Sequence, residues 1–323
     1  MRKILALHTG GTISMHEDEL GQVLPGEENP IARAEIALPE NVEIINEEIF
    51  NLPSPHITPA HMLQLKERIL YAIQHENVQG IVITHGTDTL EETAYFLDST
   101  IQLMFPIVLT GAMRSSNELG SDGLYNFLSA LRVASDNKAI GKGVLVVMND
   151  EIHTARYVTK THTTNVATFR TPTHGPIGIV TKTEIVFFHQ LQYQEKYNIS
   201  TVDGNIPIIK AYAGMTDEIF NMLDFHKTNG LVIEALGAGN LPPKVLEGLK
   251  KVLLNDIPVV LVSRCFNGIA EPVYAYTGGG MELAKLGVMF SNGINSQKAR
   301  LKLLIGLNAK LKGTELSDFI HDA

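Results

Sequence analysis

The sequence predicts a two-domain α/β protein, on three observations. Its 323 residues exceed one ordinary domain and suit two. Over the first 190 or so, short apolar runs alternate with helical patterns, the signature of a parallel sheet. A polar, aperiodic stretch then gives way to a second α/β pattern. The expected division is a larger N-terminal α/β catalytic domain over 1–189, a linker over 190–206, and a smaller C-terminal α/β domain over 207–323.

Strands are predicted at 4–7, 80–83, 106–109 and 144–148, each a short apolar run. Thr58-Pro59 sets an N-cap before a proline at the first helical position, opening a helix that runs to about His75. Thr89-Leu90-Glu91-Glu92 reads as a capping box. Ser121 or Asp122 caps a further helix bearing Leu124, Leu128, Leu131 and Val133. Asp203-Gly204 marks a turn inside the linker. Beyond it, strands are expected at 207–210, 231–235 and 258–262, with helices after Met215, after Pro242-Pro243 and after Asn295.

Composition narrows the function. Hydrophobic residues make up 44% of the chain, enough for a large core, and no apolar run reaches membrane-spanning length. A net charge of −9 without a Lys/Arg cluster argues against nucleic acid or an anionic membrane as partner. The single cysteine, Cys265, excludes an internal disulfide or a cysteine metal site within these residues. The N-terminal run passes into glycines rather than a secretory apolar region, so a first strand and a cytoplasmic protein are expected. A small-molecule enzyme without metal or cofactor remains.

The chemistry gathers at strand ends. Residues 4–7 run into His8-Thr9-Gly10-Gly11-Thr12, 81–83 into Thr84-His85-Gly86-Thr87-Asp88, and 107–109 into Thr110-Gly111-Ala112-Met113-Arg114. Parallel strands share one C-terminal edge, where open α/β sheets bind ligands, and glycines let backbone N–H groups come close. Thr12, Thr87 and Asp88 would converge there. By itself, Gly10-Gly11 also reads as a tight strand-exit turn, and Thr89 alone suffices to cap its helix. Neither reading accounts for Thr87 and Asp88, which stand beside a helix N-terminus that favours negative charge. A phosphate loop is disfavoured, because no Gly-Lys-Ser/Thr follows and no G-x-G-x-x-G is present. A serine-hydrolase elbow and an H-E-x-x-H zinc site are also missing. Of the twelve histidines, His8 and His85 lie nearest the crevice.

Thr9-Gly10-Gly11-Thr12-Ile13 and the run from Thr84 to Ala94, Thr-His-Gly-Thr-Asp-Thr-Leu-Glu-Glu-Thr-Ala, closely resemble the two signatures of bacterial-type L-asparaginases. The likeness continues at 110–114, Ser121-Asp122-Gly123, Asn126, 143–149 and Val158-Thr159-Lys160-Thr161, and more weakly at 236–240. It implies a flavodoxin-like N-terminal domain, a smaller C-terminal α/β domain, and a homodimer or homotetramer with sites at subunit contacts. By position it implies Thr12 as nucleophile, with Thr87, Asp88 and Lys160 as the second threonine and its partners. Ser54 would hold the substrate carboxylate, Asp88 the α-ammonium, and Asn240 would reach across the interface. The backbone at Gly11–Thr12 and Thr87 would hold the developing oxyanion. A threonine hydroxyl needs a base to take its proton, and without the resemblance Lys160 reads as a surface lysine in a polar stretch.

Two departures from the family pattern stand out. The segment from Ser14 to Pro30 has no tyrosine, where the family usually carries one that helps activate the nucleophile. Pro55 follows Ser54 where a polar residue is common. The implied activity is hydrolysis of the L-asparagine side-chain amide, with weaker glutaminase activity as an addition. Two competing roles use the same scaffold: a subunit releasing ammonia for transfer-RNA amidation, and a catalytically silent amino-acid sensor. The first normally comes with an extra N-terminal domain. The second has no use for a nucleophile.

Overall fold

An eight-stranded sheet organises the first of two compact units, Met1–Tyr193 and Gln194–Ala323. The computed structural model describes residues 1–25, 29–33, 42–102, 105–190 and 195–321. In chain order the first unit begins with β1 (Arg2–His8), the hairpin of β2 (Met15–Glu17) and β3 (Val23–Pro25), α1 (Pro30–Arg33) and β4 (Val42–Glu48). There follow α2 (Pro59–His75), β5 (Gly80–Thr84), α3 (Leu90–Thr100), β6 (Ile107–Thr110), α4 (Gly123–Ala134) and β7 (Val144–Met148). It closes with β8 (Glu151–Thr154), the ribbon of β9 (Thr159–Lys160) and β10 (Phe169–Arg170), then β11 (Gly178–Val180) and β12 (Ile185–Phe187).

The sheet order is β12-β11-β8-β7-β6-β5-β1-β4. β4, β1, β5, β6 and β7 run parallel. β5, β6 and β7 are buried along their whole length, so they read as unbroken apolar runs rather than alternating ones. β8, β11 and β12 extend the sheet antiparallel, an edge that the purely parallel expectation lacks. Its first turn is tight: Asn149 and Asp150 both have positive φ, 50° and 67°, as a two-residue hairpin of the I′ type requires. β4 escaped the sequence reading because Val-Glu-Ile-Ile-Asn-Glu-Glu is mostly polar. An edge strand tolerates that. Against one face of the sheet, Phe127, Ala130, Leu131 and Ala134 of α4 pack on Ile4, Val82, Val108 and Leu145.

The second unit carries β13 (Ile208–Lys210), α5 (Glu218–Asn221), β14 (Leu231–Ala235), α6 (Leu246–Leu254) and β15 (Val259–Ser263). It ends with α7 (Gly280–Lys285), β16 (Met289–Phe290), α8 (Ser296–Asn308) and α9 (Gly313–His321). β13-β14-β15-β16 form a parallel sheet with its own core around Phe220, Ile233, Leu249 and Leu261. Asn295 caps α8 as the sequence suggests, its Oδ1 accepting from Lys298 N at 3.2 Å. Of the linker expected over 190–206, residues 191–194 lie outside the described residues, as do 26–28 of the segment after the first signature. Among the described residues, no helix is long and apolar enough to cross a membrane.

Two capping expectations change. Thr89 is the N-cap of α3, but its side chain makes no cap bond. The hydroxyl donates instead to Ser54 O at 2.8 Å, tying the helix to the loop after β4. Asp122 precedes α4 without a side-chain cap bond. Its carboxylate accepts from Met113 N and Arg114 N at 3.0–3.1 Å and from Asn126 Nδ2 at 3.0 Å. Both side chains hold a neighbouring loop, and neither caps the backbone of its own helix.

Candidate active site

The crevice lies where the chain changes direction across the sheet. From β1 it crosses to β4 on one side and then returns to β5 on the other, so the switch point falls between β1 and β5. The loops leaving β4, β1 and β5 carry Ser54, Thr12 and Thr87–Asp88.

Glycines lock these loops together. Gly10 and Gly11 both have positive φ, 96° and 86°, a region that disfavours side chains. A Cβ on Gly11 would fall on the backbone of Gly86, and one on Gly10 would lie 2.5 Å from Leu52 N. A Cβ on Gly86 would meet Ser54 Oγ at 2.8 Å. Three loops thus touch without intervening side chains, which brings residues 12, 54 and 87 to one rim. Thr12 opens a single 3₁₀ turn, Thr12–Ser14. The next residue, Ile13, is buried in the core against α4, so Thr12 stays half-exposed on an anchored turn.

Lys160 is no free surface lysine. Its Nζ donates to Thr87 Oγ1 at 2.9 Å and to Asp88 Oδ1 at 2.7 Å. The lysine side chain is 16% exposed and that of Asp88 59%. Thr87 is buried. Because Lys160 donates to Thr87, the threonine keeps its own hydroxyl hydrogen for another acceptor. Ser54, also buried, accepts from Asp88 N at 3.1 Å, which leaves its O–H to donate. Asp88, Glu91, Lys160, Thr161, His162 and Thr163 line an open cavity of about 390 Å³.

The histidines nearest the crevice serve the frame. His85 is completely buried, and burial pushes its pKa down to about 4 against a weaker opposing hydrogen bond to Gly86. Its Nδ1 lies 2.8 Å from Gly86 O, which can only accept. Nδ1 therefore carries the proton, and Nε2 accepts from Thr93 Oγ1 at 2.9 Å. His8 Nδ1 lies 2.9 Å from Thr84 Oγ1 and its Nε2 3.1 Å from Asn46 Oδ1. Burial lowers its pKa, with Asn46 acting in the opposite direction. The Thr110–Arg114 loop is likewise scaffold: Asp122 takes its backbone N–H groups, Asn126 Nδ2 donates to Gly111 O at 3.0 Å, and Asn126 Oδ1 accepts from Asn149 N at 3.0 Å.

The tyrosine-free segment after Ser14 forms the β2–β3 hairpin. Ser116 and Asn117 hold it: Ser116 Oγ donates to Met15 O at 2.8 Å, and Asn117 bonds Glu17 N and O at 2.7 and 2.8 Å. In the second unit, Asn240 lies in the loop after β14. Its Oδ1 accepts from Gly280 N at 3.1 Å, so it caps α7 rather than the helix after Pro242-Pro243. Sequence reasoning overlooked Glu151 and His153 of β8, whose side chains meet Arg170 of β10 and Thr171 after it. A Glu-x-His alternation on a short strand was the available signal.

A doubly wound sheet with hydroxyls, a Lys–Asp pair and glycine-packed loops at its switch point, followed by a smaller parallel-sheet unit, defines a two-domain α/β protein with its ligand crevice at the switch point. The family model "Asparaginase, N-terminal" matches residues 3–193, and "Glutaminase/Asparaginase C-terminal domain" matches residues 205–319. The chain belongs to the asparaginase family. It is 40% identical over 316 residues to a probable L-asparaginase of Deinococcus radiodurans, covering 95% of this chain and 93% of the relative. An L-asparaginase of Bacillus licheniformis is 34% identical over 97% of both chains. The crystal structure of a probable cytoplasmic L-asparaginase from Campylobacter jejuni superposes with a TM-score of 0.86 at 30% identity, over 99% of both chains.

Proposed function

We propose that this protein hydrolyses the side-chain amide of L-asparagine to L-aspartate and ammonia through a threonine nucleophile. The observation that carries the reading is the Lys160 amine bonded at once to Thr87 Oγ1 and Asp88 Oδ1, beside the Gly11–Thr12 turn, in a chain matched along both domains by one family. Thr12 Oγ1 attacks the amide carbon with Lys160 as the neutral amine: Thr87 Oγ1 takes the Thr12 proton as it passes its own to Lys160 Nζ, and the resulting ammonium protonates the departing nitrogen. The C–N bond breaks, ammonia leaves, and water hydrolyses the ester on Thr12 to release aspartate. The backbone at Gly11–Thr12 and Thr87 takes the charge that develops on the amide oxygen. Ser54 donates its O–H to the substrate carboxylate. Asp88 gives Oδ2 to the α-ammonium while Oδ1 stays with Lys160.

A second reading exchanges the threonines. It is favoured by Lys160 contacting Thr87, so that Thr87 carries the acyl group and Thr12 orients it. Mass spectrometry of enzyme quenched during turnover separates the two, by whether the acyl mass falls on the peptide holding Thr12 or Thr87.

Asparagine is the preferred amide in this proposal, with glutamine weaker. Ser54 and Asp88 grip both α-groups and so set the distance to the nucleophile. One added methylene moves the amide carbon, and misplacements of this kind are costly. An ammonia assay on asparagine, glutamine and a neutral amide tests the whole reading. Ammonia from asparagine well above the other two supports it. Binding without release marks a sensor, and equal kcat/KM for asparagine and glutamine removes the specificity argument.

The proposal extends to assembly and location. A second copy completes each site with Asn240, in a homodimer or homotetramer. Supporting this, the segment next to the Asn240 loop exposes Phe266, Ile269, Val273, Tyr274 and Tyr276. It is tied to that loop by Glu271 N to Ala238 O and Leu241 N to Gly278 O, each 2.8 Å. Apolar faces of this kind mark interfaces. Cytoplasmic residence follows the Campylobacter jejuni relative's description and is checked by cell fractionation.

A further inference from the structure

Lys160 stands on a narrow support. β9 is two residues long and pairs with β10, and this ribbon forms a sheet of its own, separate from the eight strands. Main-chain pairing to the large sheet therefore does not fix where the lysine points, yet its Nζ meets two partners at 2.9 and 2.7 Å.

Side chains from β8 make the connection. Glu151 sets both carboxylate oxygens 3.0 Å from Arg170 Nη1, and Arg170 is the β10 residue paired with Thr159, next to Lys160. Two positions along β8, on the same face, His153 Nδ1 lies 3.0 Å from Thr171 Oγ1, the residue following Arg170. The two anchors approach each other, with Glu151 Oε2 3.3 Å from His153 Nε2, although that ring nitrogen makes no hydrogen bond. Carboxylate, imidazole and hydroxyl follow one another as in an acyl-transfer triad. His153 and Thr171 are both buried, however, at 0% and 4% exposed, so no substrate reaches that hydroxyl. The task of the chain is mechanical. His153 first, and then Arg170, hold the Glu151 carboxyl below the usual range against the opposing effect of burial. The anchor is thus charge-assisted at neutral pH, the stronger class of hydrogen bond.

We propose that Glu151, His153, Arg170 and Thr171 are positioning residues, a clamp that aims Lys160 Nζ at Thr87 and Asp88. The proposal rests on the reading that Lys160 belongs to the machinery activating threonine, and the test keeps the two apart. Steady-state kinetics on asparagine are measured for K160M, E151Q, R170M, R170K and the E151Q/K160M double variant. E151Q and R170M are expected to lower kcat on the order of tenfold or more with KM little changed, since small misplacements of a catalytic group are expensive. R170K keeps the positive charge and should recover part of the loss. In the K160M background E151Q should cost nothing further, because the group it aims is gone. Unchanged kcat in E151Q and R170M overturns the clamp. So does an E151Q penalty of the same factor with and without Lys160, which marks a general structural role. Should E151Q fail to fold, R170M/K160M gives the same cycle at a half-exposed residue (46%). A K160M enzyme with normal kcat overturns instead the reading of Lys160 on which the clamp depends.

Discussion

Acid should weaken this fold through His85, and the size of the effect follows from the ring's surroundings. The imidazole is fully buried, its Nδ1–H is committed to Gly86 O, and its Nε2 must accept from Thr93. A proton on Nε2 would face the Thr93 hydroxyl with a second donor and put an uncompensated charge in the core. The folded-state pKa of about 4 lies below the ordinary 6.5. Between these values the unfolded chain binds a proton that the folded one refuses. His85 therefore contributes stability that is whole above about pH 6.5 and is lost as pH falls toward 4. At about 1.4 kcal/mol per pH unit, that window amounts to about 3 kcal/mol. The perturbation is His85→Gln, which cannot titrate. Urea melts of both proteins from pH 7.5 to 4, subtracted one from the other, remove the contributions common to both. The difference should fall toward acid by about 3 kcal/mol, most steeply below about pH 6. A flat difference across the window, or a His85 ring resonance titrating near 6.5, would refute the reasoning.

Other outcomes follow from the same geometry. Thr12→Ala should lower kcat by roughly three orders of magnitude or more at unchanged melting temperature, with Thr12→Ser keeping measurable turnover because the hydroxyl remains; near-normal turnover in Thr12→Ala ends the assignment. Gly11→Ala puts a Cβ onto Gly86 and should lower both activity and melting temperature. Gly141→Ala, at a similar φ with open space around it, should cost only about 1–2 kcal/mol; equal effects would show that loop contact at Gly11 is unimportant. Mixing Thr12→Ala with Asn240→Ala subunits after dissociation should restore activity above either parent. Hybrids confirmed by mass but without that rise would leave Asn240 as the cap of α7 alone.

Much of the fold was legible because local and global preferences agree. Parallel strands buried on both faces must be apolar throughout, so β1, β5, β6, β7, β14 and β15 announce themselves. Thr58-Pro59 and Asn295 mark helix starts that form as read. Less legible were elements whose residues answer to neighbours rather than to their own periodicity. β4 is polar because it is an edge, and β9 and β10 are too short for any period. Thr89 and Asp122 look like caps, but the Thr89 hydroxyl serves a loop distant in sequence and the Asp122 carboxylate serves the loop before its helix.

The sequence by itself determined the α/β class, the strand ends that carry the polar residues, and, through its two long signatures, the family. Those features are local: a glycine pair, a threonine and an apolar run are adjacent in the chain, and adjacency survives without folding. The resemblance paired Lys160 with Thr87 and Asp88 by position, but only tertiary structure makes the contact, since some seventy residues separate them and the folded ribbon closes the 2.7 and 2.9 Å distances. It decided equally that His85 belongs to the frame and not to the chemistry. Gly86 O, which takes the Nδ1–H, is next in the chain, but the burial and the Thr93 hydroxyl that hold the ring neutral come only with the fold.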